Sequence, residues 1–84
     1  MPGKVKVTIV GMERSYYVRT LREWFLQIKD ILEEDLGKQV ELEIKNSNSE
    51  IPIILVNGRE VFEGLPDNEG TLIEIILSNV GEDP

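Results

Sequence analysis

Apolar and polar residues alternate along Lys4-Val5-Lys6-Val7-Thr8-Ile9-Val10, placing Val5, Val7 and Ile9 on one face of an extended chain that stops at Gly11. This predicts a first strand. After the loop Gly11 to Ser15 the period changes. Val18, Leu21, Phe25, Ile28 and Leu32 recur three and four residues apart, Trp24, Ile31 and Leu36 widen the stripe, and Arg22, Gln27, Lys29, Asp30, Glu33 and Glu34 fill the opposite side. The pattern is that of a long amphipathic helix. Two starts fit it, Ser15 as N-cap or Thr20 with Glu23 completing a capping box, and Gly37 suits the left-handed residue that ends a helix. Val40, Leu42 and Ile44 then alternate with Glu41, Glu43 and Lys45, a half-buried strand whose charged outer face belongs at a sheet edge. Asn46 to Ser49 is a connector of turn formers.

Asn57-Gly58 separates two apolar runs and predicts a two-residue type I′ hairpin turn, because both residues tolerate the positive φ that turn requires. Ile51 and Ile53 to Val56 run nearly without a polar break, which predicts a strand covered on both faces, while Val61-Phe62-Glu63 is short, ends at Gly64 and reads as an edge strand. Pro52 stands at the mouth of the first of these. A proline donates no ladder hydrogen bond, so it belongs at the strand's first position or at a bend, and Ile51-Pro52 is a bond that adopts cis at modest cost. The last segment fits two periods. Pro66, Asp67 and Glu69 suit a helix start, Thr71 with Glu74 offers a capping box, and Leu72, Ile73, Ile76, Leu77 and Val80 trace a helical stripe. Leu72 to Leu77 also suits a strand, and helix is preferred.

Composition narrows the chemistry. At 84 residues the chain is read as a single domain, 1–84, and it contains neither Cys nor His, which removes thiol redox chemistry, imidazole general bases and the common zinc sites. A net charge of −7 repels phosphate backbones and anionic lipid heads, so nucleic acid and membranes are poor partners. Neither a membrane span nor a signal peptide is legible, and a cytoplasmic location is expected; Met1 to Gly3 and Gly81 to Pro84 read as loose ends.

The order strand, long helix, strand, Pro-led hairpin, helix resembles the thioredoxin/glutaredoxin-like fold in its small form. The likeness rests on Ile51-Pro52, Ile53 to Val56, Asn57-Gly58, Val61-Phe62 and Gly64 in that order, and it covers nearly the whole chain. It implies an α/β protein of order β-α-β-β-β-α, with helices packed on a four-stranded mixed sheet and a cis Ile51-Pro52 bond facing the site. The family's Cys-x-x-Cys falls on Ser15-Tyr16-Tyr17-Val18, or on Arg14 to Tyr17 with a shift of one, and neither alignment contains sulfur. A serine hydroxyl without a neighbouring base does not replace a thiolate, and Ser15 is read as a helix N-cap. The resemblance therefore implies no catalytic residue and no cofactor. It implies a groove for a protein or peptide partner formed by Arg14, Ser15, Tyr16, Tyr17, Ile51, Pro52 and Gly64.

Other features offer weaker alternatives. Arg14 and Arg59 suit a carboxylate or glutathione-like anion, although Leu65 stands where glutaredoxin-like members carry a second glycine. Tyr17, Trp24 and Ile31 form a candidate homodimer flank. Glu60, Glu63 and Asp67 cluster in sequence as candidate carboxylates for acid-base work, and Glu33-Glu34-Asp35 reads as a solvated face. The competing fold is a ubiquitin-like β-grasp of modifier or carrier type. It makes Ser15 to Arg19 a second strand and Leu72 to Leu77 a closing strand, and expects a Gly-Gly tail where this chain has Gly81-Glu82-Asp83-Pro84.

Overall fold

A computed structural model describes residues 4–80, in the order β1 (Lys4–Gly11), α1 (Tyr16–Leu36), β2 (Gln39–Asn46), β3 (Ile53–Val56), β4 (Arg59–Glu63) and α2 (Glu69–Ser78). The chain is thus a small α/β protein with the expected order of elements. The candidate loose ends, including the Gly81 to Pro84 tail, lie outside the described residues. Strands follow one another across the sheet as β2-β1-β3-β4, with β1 parallel to β2 and the other pairs antiparallel, so the sheet is mixed and open.

Register explains which residues are buried. Val7 lies between Leu42 and Val56, and Ile9 between Ile44 and Ile54, so the alternate apolar positions of three strands share one face. Both helices bury their stripes against that face. Val18, Leu21, Phe25, Ile28 and Leu32 of α1 join Leu72 and Ile76 of α2 and Val5, Val7, Ile9, Val40, Ile54 and Val56 of the sheet in one core. Among the described residues, no helix covers the opposite face. It carries Lys4 and Lys6 paired with Glu41 and Glu43 at 3.0 and 3.3 Å, and at its β3 side the half-buried Val10, Ile53 and Leu55. Coverage of β3 on both faces is therefore corrected to coverage on one. A continuous apolar run does not reveal whether a second layer of chain exists to cover it.

The ends of the helices follow from local chemistry. Ser15 caps α1, its hydroxyl accepting from the Tyr17 and Val18 amides, so the Thr20 start is set aside. Gly37 at φ 65° donates its N–H to Glu33 O and closes the helix in the left-handed conformation. Asn68, rather than Pro66 or the Thr71-Glu74 box, caps α2 by accepting from the Thr71 amide. Asn57 and Gly58, at φ 51° and 85°, make the I′ turn, and Asn57 also binds β1: its N–H donates to Lys6 O and its Oδ1 accepts from Lys6 N.

Two expectations are overturned. Residues Ser15 to Arg19 and Leu72 to Leu77 are cap and helix, not strands, which removes the β-grasp alternative: the helical spacing of apolar residues buries both segments better than alternation would. The Ile51-Pro52 bond is trans, since the described residues contain no cis peptide. Pro52 sits just ahead of β3, where no ladder N–H is required of it, so the ordinary preference of about 0.5–1 kcal/mol for trans is unopposed.

Candidate functional site

Gly11, Val18 and Pro52 meet where β1 ends, α1 begins and β3 is about to start. A Cβ at Gly11 would lie 2.9 Å from Val18 Cγ2 and 3.4 Å from Pro52 Cα, so only a glycine lets the three segments close on one another. Pro52 is buried there, and its carbonyl accepts from Gly64 N at 2.7 Å. Gly64, at φ 100°, turns the chain out of β4 in a conformation that side chains disfavour. These contacts make a fixed floor.

The loops above the floor are held by polar bonds. Ser47 N donates to Gly11 O at 2.8 Å, Ser15 N to Met12 O at 2.8 Å, and Glu13 N to Asn46 Oδ1 at 3.0 Å. Ser49 N donates to Ser47 Oγ, and Ser49 Oγ donates to Ile51 O, which shapes the approach to Pro52. The Ser15 hydroxyl spends its lone pairs on the cap, and no basic side chain faces it as a hydrogen-bond partner among the described residues.

Exposed apolar side chains surround this end. Tyr16 is 71% exposed, Tyr17 46%, Ile51 51% and Met12 38%, and the two tyrosine rings stand edge to face with centroids 5.8 Å apart. The tyrosines lead α1, Met12 follows β1 and Ile51 precedes Pro52, so all four belong to elements that converge on Gly11. Of the predicted groove residues, Tyr16, Tyr17 and Ile51 are exposed, Ser15 is in the cap, and Pro52 and Gly64 are joined through the backbone. Arg14 is exposed beside an open polar depression of about 390 Å³ shared with Met12, Glu13, Asn46, Ser47 and Asn48.

The structure separates other pairings. Arg59 opens β4 beside the Asn57-Gly58 turn, whereas Arg14 follows the opposite end of β1, so the two do not form one anion site. Glu60, Glu63 and Asp67 are exposed, and among the described residues no group of three or more Asp or Glu converges as a metal site would require. Glu33 departs from the solvated reading: its Oε2 accepts from Val40 N at 2.9 Å and from Lys29 Nζ at 3.1 Å, and the Val40 bond first, then Lys29, holds its carboxyl below the usual range. Among the described residues, no helix is long and apolar enough to cross a membrane.

Gly11 and Met12 were missed as parts of the site. A glycine after an apolar strand signals the end of a strand, and its second meaning, close approach of a helix, has no local mark. Comparison of the chain with protein-family models, with curated proteins and with solved structures gives no match in any of the three.

Proposed function

We propose that this protein is a thioredoxin/glutaredoxin-like module without redox chemistry, which holds an extended protein or peptide segment at the end of the sheet around Pro52. The order of elements, the X-Pro at the head of the third strand and the glycine closing β4 support the family reading; the trans bond and the missing cysteines depart from it. One observation carries the binding role. Met12, Tyr16, Tyr17 and Ile51 are exposed on the segments that flank the close contact of Gly11 with Val18 and Pro52. Tyrosines in such a place bury much area at little cost in side-chain entropy, as binding hot spots do.

The test is selection from a displayed random-peptide library, followed by affinity measurement against Tyr16→Ser/Ile51→Ser, both exposed positions that leave the core intact. Selected peptides are expected to shift the amide resonances of residues 12–17 and 51–52, and to bind the double variant at least about tenfold more weakly. Peptides that bind elsewhere, or that keep their affinity for the variant, would reject the proposal.

A further inference from the structure

The sheet has two edges, and they are treated differently. On the β4 side the edge strand is five residues long, and the ladder with β3 shifts between Ile54 and Leu55, an irregularity that blunts pairing with another chain. On the β2 side the edge is eight residues long and pairs with β1 in unbroken register.

The backbone phase of β2 shows which groups are free. Ser47 N turns to β1, donating to Gly11 O, whereas Val40 N turns away and donates to Glu33 Oε2. Leu42 and Ile44 are in phase with Val40, so their N–H and C=O groups point outward as well. Among the described residues, Glu33, clamped by Lys29, closes the edge only at Val40.

Beside the open half lies a groove of about 370 Å³ between α1 and β2. Val18, Leu42 and Ile44 form its apolar lining, and Arg19 and Arg22 stand at its α1 side with Glu13 at one end. In a chain of net charge −7, the ion pairs among the described residues are Lys4–Glu41, Lys6–Glu43 and Lys29–Glu33; neither arginine takes part in one. Among the described residues, two guanidinium groups without ion-pair partners stand beside an apolar strip and a strand edge with no pairing strand, and together they complement one kind of ligand.

We infer that the Leu42–Asn46 half of β2 accepts an extended acidic segment of a partner protein as a fifth strand. Its backbone pairs with the outward groups of Leu42 and Ile44, and its groove-facing side chains are an apolar residue on Leu42 and Ile44 and a carboxylate on Arg19 and Arg22. By helical spacing the two arginines lie on the flank of α1 away from Tyr17. Arg19 is nonetheless one turn from Tyr16, and Glu13 lines both depressions, so this site adjoins the Pro52 end and is told apart from it by which amides are protected.

The probe is an end-blocked, fluorescein-labelled peptide of Val-Thr-Glu-Thr repeats, with a twin carrying Lys for Glu, titrated by anisotropy into the full chain. The acidic peptide is expected to bind at least about tenfold more tightly than its twin, and to slow hydrogen exchange at the Leu42 and Ile44 amides. Arg19→Glu/Arg22→Glu, at exposed positions, is expected to reverse the preference between the twins. Three outcomes would overturn the inference: no binding below about millimolar, a preference that the charge swap leaves unchanged, or exchange slowed at Met12 to Tyr17 instead of β2. Self-association of the chain that occludes the β2 edge without peptide would overturn it too.

Discussion

The two ends of the sheet are finished in opposite ways. At the end where β1 begins, polar groups answer one another: Gly37 closes α1 on Glu33 O, Glu33 takes the Val40 amide and Lys29, Lys4 meets Glu41, and Asn57 fastens the hairpin to Lys6 through two hydrogen bonds. At the end where β1 finishes, the interior is as closely fitted, around Gly11, and polar bonds hold the loops, but Met12, Tyr16, Tyr17 and Ile51 also stand exposed on the segments there. Both ends serve the fold; of the exposed large apolar side chains among the described residues, Met12, Tyr16, Tyr17 and Ile51 belong to segments at the second end, while Leu26 and Ile31 lie further along α1. Scattered apolar residues on a surface call for no explanation, whereas several on segments that meet at one close contact do.

Gly11→Ala gives the largest effect with which to break this contrast. The new methyl meets Val18 Cγ2, a stiff and buried β-branched side chain, at 2.9 Å, and overpacking of this kind costs about 1–3 kcal/mol. The midpoint of thermal unfolding is expected to fall by roughly 4–8 °C per kcal/mol for a domain of this size. If the clash is the cause, Val18→Ala added to Gly11→Ala recovers part of the loss, and simple additivity of the two changes would place the cost elsewhere.

Ser15→Ala sharpens the comparison at the same end. It removes the acceptor for the Tyr17 and Val18 amides, at a cost of about 1 kcal/mol measured by denaturant unfolding. Ser15→Asp, which restores an acceptor and adds a charge favourable at a helix N-terminus, is expected to regain that loss. A serine engaged in chemistry rather than capping would not be replaced by aspartate in this way.

The smallest effect belongs to the polar end. Glu33 has its pKa lowered in the folded chain, by the Val40 amide first and then Lys29. Its contribution to stability is therefore complete above the ordinary carboxyl range and is lost as pH falls through the lowered folded value. Glu33→Gln is expected to remove that part of the acid-side decline in stability, seen as a shallower dependence of the unfolding midpoint on pH. An unchanged pH profile would mean that Glu33 does not bind Val40 in solution.

Much of this architecture was legible from residue types and spacing. The stripe from Val18 to Leu32 marked α1, alternation marked β1 and β2, Asn57-Gly58 marked the turn, and Ser15 and Gly37 marked the helix ends, although Thr20 competed with Ser15 as the start. Each signal is local, because periodicity and caps act within a turn or two of chain. The candidate site was legible as a set of residues, Tyr16, Tyr17, Ile51 and Pro52 among them, but not as a surface. Which of them are exposed depends on chain that lies far away in sequence.

What the sequence determined by itself, then, is the order of the elements and the type of most of them, since these rest on short-range backbone chemistry and on which residues seek burial; the last segment fitted both helix and strand. Tertiary structure alone decided the rest. It made Gly11 a point of contact between three segments, engaged Glu33 with the start of β2 and, among the described residues, left one face of β3 without a helix. Each depends on the position of a residue distant along the chain or on the fit of whole elements, and neither spacing nor residue type encodes that.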